Sequence, residues 1–187
     1  MDSIHSAFCD AVVGTIKDLP CVDVPFPDAN WNSAFQDHSA NRKCFMLDFA
    51  FSDGQWYYSL LNARCGSQVP LTTVLQQVGP NYLRIDYIQC VGDGWSFTKT
   101  SKEEIYVLIE SLRPFVNFPK LRLDDVNSTI PENDVAELLS TFAEINICSF
   151  ISSCNAPSVM EFAMKLLRDP LLKELLIQEK QKKLNCV

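Results

Sequence analysis

Three segments of the chain share one pattern, apolar-x-x-apolar-x-apolar, and that recurrence limits its possible folds more than any other feature. They are Phe118-x-x-Leu121-x-Leu123, Phe142-x-x-Ile145-x-Ile147 and Leu172-x-x-Leu175-x-Ile177, with Leu83-x-Ile85 as a shorter earlier copy. Alternating apolar positions mark a strand that buries one face. Helical signals separate the copies. A stretch around Leu71–Val78 precedes the first, and Ser101 with Glu104 forms a capping box for a helix through Leu112. Pro131, Glu132 and Asp134 open a helix running to about Ala143, and Asn155 caps another that Asp169-Pro170 stops. Strands alternating with helices predict an α/β fold with parallel pairing.

The same signature is the core of a leucine-rich repeat, although the period is irregular and the asparagine that usually follows the strand is missing or displaced. The expected architecture is a short, irregular leucine-rich-repeat-like array of parallel strands and helices. Stacking such strands in register sets two outward rows, one of Arg84, Arg122, Asn146 and Leu176, the other of Asp86, Asp124, Cys148 and Gln178. In this arrangement the sheet face would dock a macromolecular partner.

Ahead of the array, Ile4, Phe8, Val12 and Ile16 recur at four-residue spacing, a helical stripe that Leu19 extends. Pro20, Pro25 and Pro27 end that helix, and Asp28 can cap a second one carrying Trp31, Ala34, Phe35 and His38. Two aromatic-rich runs, Cys44–Ser52 and Gln55–Leu61, then flank Asp53-Gly54. That dipeptide tolerates the positive φ of a type I′ turn, so an aromatic β-hairpin is expected to cap the array. The domain boundaries that follow are 1–43 for the helical module and 44–187 for hairpin plus array, fused into one core.

The net charge of −7 opposes nucleic-acid binding through a basic footprint. The N-terminus lacks the basic and then apolar regions of a signal peptide, and no run reaches the roughly 18 apolar residues of a membrane span. The expected location is cytoplasmic, with the nucleus as the second location, no membrane partner and reduced thiols. The 8 cysteines are dispersed and none forms Cys-x-x-Cys, so they read as small core residues, with no metal site and no cofactor expected. The Asn127-Ser128-Thr129 sequon is idle without secretion.

Catalytic motifs are weak. Histidine chemistry is confined to His5 and His38, and no cysteine-protease signature surrounds any thiol. Ser96-x-x-Lys99 has no companion motifs, Gly92-Asp-Gly94 is too short to cradle phosphate, and Asp124-Asp125 lacks calcium-loop spacing. No catalytic residue is assigned and the chain is not expected to be an enzyme, a small cysteine-dependent one being the remaining alternative.

Met1-Asp2-Ser3, Phe8-Cys9-Asp10-Ala11-Val12-Val13 and Trp31…Phe35…His38…Asn41-Arg42…Phe45 resemble the opening of a nematode-expanded family of F-box-like and F-box-associated proteins with degenerate leucine-rich repeats. The resemblance implies a substrate-recognition adaptor of a Skp–cullin-type ubiquitin ligase. Its helical module would bind the Skp adaptor and its repeats an unknown target protein. Ile4, Phe8, Val12, Ile16 and Trp31 would then carry the adaptor contact. The chain departs from the family in having Ile4-His5 where an F-box opens with Leu-Pro, and Pro25-Phe26-Pro27-Asp28 in place of a middle helix. A free-standing interaction scaffold is therefore the alternative.

Overall fold

The computed structural model describes residues 5–16, 19, 26–91, 97–124 and 130–178. Ile4, Pro20, Cys21, Pro25, Gly92-Asp-Gly94, Ser96, Asp125, the sequon and Cys186 lie outside these residues. Among the described residues the fold is α/β, with six α-helices and a mixed, mostly parallel sheet of seven strands. In chain order the elements are α1 (Ser6–Thr15), α2 (Ala29–Asn41), β1 (Lys43–Ser52), β2 (Gln55–Asn62), α3 (Leu71–Gln77), β3 (Leu83–Val91) and β4 (Thr98–Thr100). They continue with α4 (Lys102–Leu112), β5 (Val116–Leu123), α5 (Glu132–Phe142), β6 (Ser149–Ser152), α6 (Pro157–Leu166) and β7 (Glu174–Ile177).

The strand order is β4-β2-β1-β3-β5-β6-β7, and β1, β3, β5, β6 and β7 run parallel. Only β2 opposes its neighbours, because Asp53 and Gly54 turn the chain back with φ of 51° and 74°. Both values lie in the left-handed region that Asp and Gly tolerate. Each later parallel strand is entered from a helix. Ser101 caps α4, its hydroxyl accepting from Glu104 N–H while Glu104 reaches back to the Ser101 N–H. Asp28 caps α2 by accepting from Asn30 N–H at 2.7 Å. The start of α6 differs from expectation: Ala156 is the N-cap and Pro157 opens the helix, where its missing N–H costs nothing.

One face of the sheet is apolar. Phe45, Leu47 and Phe49 of β1, Ile88 and Cys90 of β3, Leu121 and Leu123 of β5 and Phe150 of β6 join residues from α3, α4, α5 and α6 in a single core. Phe49, Phe142 and Phe150 are fully buried in it, each worth about 1.5–3 kcal/mol of transfer free energy. A smaller cluster of Cys9, Val13 and Ala34, with Leu19, Trp31 and Phe35 against it, joins α1 to α2.

Three details correct the expected strand register. Asp86 is an extra residue in β3: Ile85 pairs with Phe45 and Tyr87 with Met46, so side-chain direction inverts beyond the bulge. Pro119 lies in the irregular stretch of β5, where its lack of an N–H is tolerated. Phe142 ends α5, and Ile145 and Ile147 are buried in the connection, so the strand begins only at Ser149.

Candidate functional site

The second face of the sheet contributes nothing to the large core, and α3, α4, α5 and α6 bury their apolar residues on the other side, while α1 and α2 bury theirs in their own smaller cluster. Its outward rows follow from the register. Asp48 pairs with Gln89, Gln89 with Arg122, Arg122 with Ile151 and Ile151 with Leu176. The adjoining row runs Met46, Tyr87, Lys120, Ser149 and Glu174. Neighbours along a row stand about 4.8 Å apart at the backbone; Lys120, Arg122 and Leu176 are exposed along them, while Asp48 and Ser149 are buried.

Two of the expected rows are thereby replaced. Arg84 does not align with Arg122; it lies before the bulge and donates to the Gly14 and Leu83 carbonyls. Asp86 is the bulge residue and hydrogen-bonds Cys44. Asn146 and Cys148 precede β6, the first exposed and the second buried, so neither sits in a strand row. Arg122 and Leu176 do face outward together with Ile151 between them, and Gln178 follows directly after β7. Asp124 is bound to Arg122 at 2.6 Å, and this partner together with Tyr87 raises the guanidinium's proton affinity.

The electrostatics are uneven along the rows. Arg122 and Lys120 are exposed near the centre, whereas Asp48 and Ser59 are almost fully buried. Burial pushes the Asp48 carboxyl up to about 6, with a Gln89 hydrogen bond opposing the rise. A carboxylate in the middle of Phe45-Met-Leu-Asp-Phe-Ala-Phe51 was a signal for this position, since a buried acid in an apolar strand needs a reason. Nothing in the repeat pattern singled out Tyr87, Gln89, Lys120 or Ile151.

A second concavity, of about 590 Å³, opens where α1 meets the starts of β3 and β5; Asp10, Gly14, His38, Asn81, Arg84 and Val116 are among its walls. His38 Nε2 lies 3.0 Å from Asp10 Oδ1, and Asn81 donates to the other Asp10 oxygen at 3.1 Å. His38 Nδ1 faces the Arg42 guanidinium at 3.5 Å. Arginine can only donate, so Nδ1 accepts and the ring proton sits on Nε2, held by Asp10. The imidazole is fully buried and both its nitrogens are engaged, which leaves no lone pair for a substrate. Arg42 also donates to the Val13 and Ile16 carbonyls at 2.9 and 2.6 Å, and Arg84 to that of Gly14. Cations at a helix C-terminus satisfy its orphan carbonyls and its dipole. The cluster clamps α1 to the rest of the fold.

The residues expected to meet an adaptor divide accordingly. Phe8 is 56% exposed and meets Trp31 edge-on at 6.2 Å between ring centres. Val12, Ile16 and Trp31 are half-buried, and the inward stripe of α1 is Cys9 and Val13, one residue further along. Among the described residues no histidine–thiol bond is found: His5 Nδ1 accepts from Ala7 N–H, and His38 meets Asp10 and Arg42. Burial pushes the Cys44 and Cys90 thiols up to about 12, away from reactivity. Among the described residues no three His, Cys, Asp or Glu side chains are grouped to hold a metal ion, and no helix is long and apolar enough to cross a membrane. No protein-family model matches the chain, and neither does any curated protein or solved structure.

Proposed function

We propose that the chain is a protein-recognition module whose sheet face opposite α3, α4, α5 and α6 binds a target protein, acting as a substrate-recognition adaptor of a Skp–cullin-type ubiquitin ligase. The observation that supports recognition is the placement of the core residues of these four helices on one side of a largely parallel sheet. This leaves a broad surface with Arg122 and Lys120 at its centre and Ile151 and Leu176 beside them. A mixed charged and apolar surface of that kind suits a folded protein partner. Successive helix–strand units with bare outward rows are also the arrangement of a leucine-rich-repeat-like array, with the β1–β2 pair toward its first edge.

The ligase role rests on the N-terminal resemblance together with the aromatic patch of Phe8 and Trp31, where an exposed phenylalanine is held by a neighbouring ring. Titration of the purified chain with a purified Skp-type adaptor tests it. Saturable binding that Phe8→Glu abolishes is the expected result. A folded chain that does not bind removes the ligase role and leaves the free-standing scaffold, a reading favoured by the Asp10–His38 and arginine contacts that tie α1 to the sheet domain.

A further inference from the structure

We propose that the chain forms a two-fold dimer through the free edge of β7 and the outer flank of α6. Two independent features meet at that end. β7 pairs with β6 on one side, and no described strand pairs with its other backbone edge, the kind of edge on which a further strand can add. Helix α6 carries two apolar stripes. Val159, Phe162, Ala163 and Leu166 are buried in the core, while Met160, Met164 and Leu167 are 42%, 56% and 56% exposed, and Leu171 just beyond the helix is 39% exposed. At 100° per residue Met160, Met164 and Leu167 project within a narrow sector about 120° from the buried stripe, to the side of the helix rather than away from the sheet. The flank toward α5 would be covered, so the exposed stripe lies on the side where the sheet ends.

A second copy satisfies both features under one symmetry operation. A two-fold axis normal to the sheet sets β7 antiparallel to its mate and α6 beside its mate on the same face. With Leu176 on the axis, Leu175 faces Ile177 of the other copy and Glu174 faces Gln178, so apolar residues oppose apolar ones and no like charges meet. A crossover helix rides over the two strands it joins, which puts the paired helices about 10 Å apart, the spacing of packed helices. The charges beside the stripe agree as well. Glu161 pairs with Lys165 within α6 at 3.2 Å, and Arg168 lies past the end of the helix, so antiparallel helices would bring the acid near the start of one copy toward Arg168 of the other.

Sedimentation equilibrium of the intact chain tests the proposal, with far-UV circular dichroism reporting the fold. The wild-type chain is expected to sediment as a dimer, and Met164→Glu as a monomer with an unchanged spectrum. Should Met164→Glu fail to fold, Leu167→Lys asks the same question. Leu176→Cys reads the register directly, because antiparallel partners on an axis have Cα atoms about 4.5–5.5 Å apart, within disulfide reach. Mild oxidation should crosslink this variant into dimers and leave the wild-type chain uncrosslinked. A wild-type chain that is monomeric at every attainable concentration overturns the proposal. So does a dimer that survives Met164→Glu, or one in which Leu176→Cys fails to crosslink.

Discussion

Asp48 on β1 and Ser59 on β2 stand directly opposite each other across the antiparallel pair, and each buries a side-chain oxygen without a hydrogen-bond partner. Such a pair is expensive in a sheet otherwise built of Phe, Leu and Ile, since a buried unsatisfied polar group costs about 1–3 kcal/mol. It marks the place where the outward face turns from an exposed surface into part of the interior.

Stability near this pair should depend on pH. Burial raises the folded Asp48 carboxyl to about 6, against 3.8 for a free aspartate side chain, so the folded state holds the proton more tightly. Its stabilising contribution is complete below about pH 4 and is lost as pH rises through 6. Asp48→Asn mimics the protonated form and lets an amide N–H reach Ser59. Urea unfolding of both proteins should show the variant gaining with pH between 4 and 6, reaching an advantage of about 2–3 kcal/mol above that range. A difference that does not change with pH would contradict this reading of Asp48.

Arg42 should hold α1 without being needed for the sheet. Its guanidinium supplies donors to the Val13 and Ile16 carbonyls, and charged hydrogen bonds of this kind contribute about 1.5–3 kcal/mol each. Arg42→Met keeps the apolar stem and removes the donors. Hydrogen exchange resolved by segment should then speed up in α1 while β1, β3 and β5 keep their protection. Uniform acceleration across the sheet would mean that the clamp supports the whole domain.

Phe150 is the principal apolar anchor of β6, fully buried and edge-on to Phe162 of α6 at 5.4 Å between ring centres. Phe150→Ala removes that ring from a strand of four residues and should cost about 3–5 kcal/mol in chemical denaturation. An equal loss from exposed Leu176→Ala would argue that burial does not set the scale here.

Where local chemistry decides the backbone, the sequence was readable. Asp53-Gly54 forces a reversal because few residues accept its φ values, and Ser101 with Glu104 starts α4 through two reciprocal bonds. The α/β class and the parallel order of β3, β5, β6 and β7 follow from the recurring apolar pattern. Register was not readable. Ile145 and Ile147 repeat the strand pattern yet lie in a connection, while true β6 contains Ser149 and Ser152, whose hydroxyls donate to Glu174 and to the Cys154 carbonyl. The Asp86 bulge likewise moved the outward positions from Arg84 to Tyr87 and Gln89, because one inserted residue inverts every side chain after it. On α1, four-residue spacing could not separate the Phe8 stripe from the Cys9 stripe beside it. That choice is made by packing against Ala34 and Phe35 of α2, which lie further along the chain.

The strand order also governs how damage spreads. From β1 onward the parallel strands join the sheet in the order they occur in the chain, so losing β7 unpairs one interface and leaves its predecessors stacked. β3 is the middle strand of the seven, bonded to β1 and to β5, and its failure would split the sheet into two sets of three. Sequence change should therefore be tolerated by the fold most easily in the outer strands and least in β3, a gradient of fragility running from the edges of the sheet to its centre.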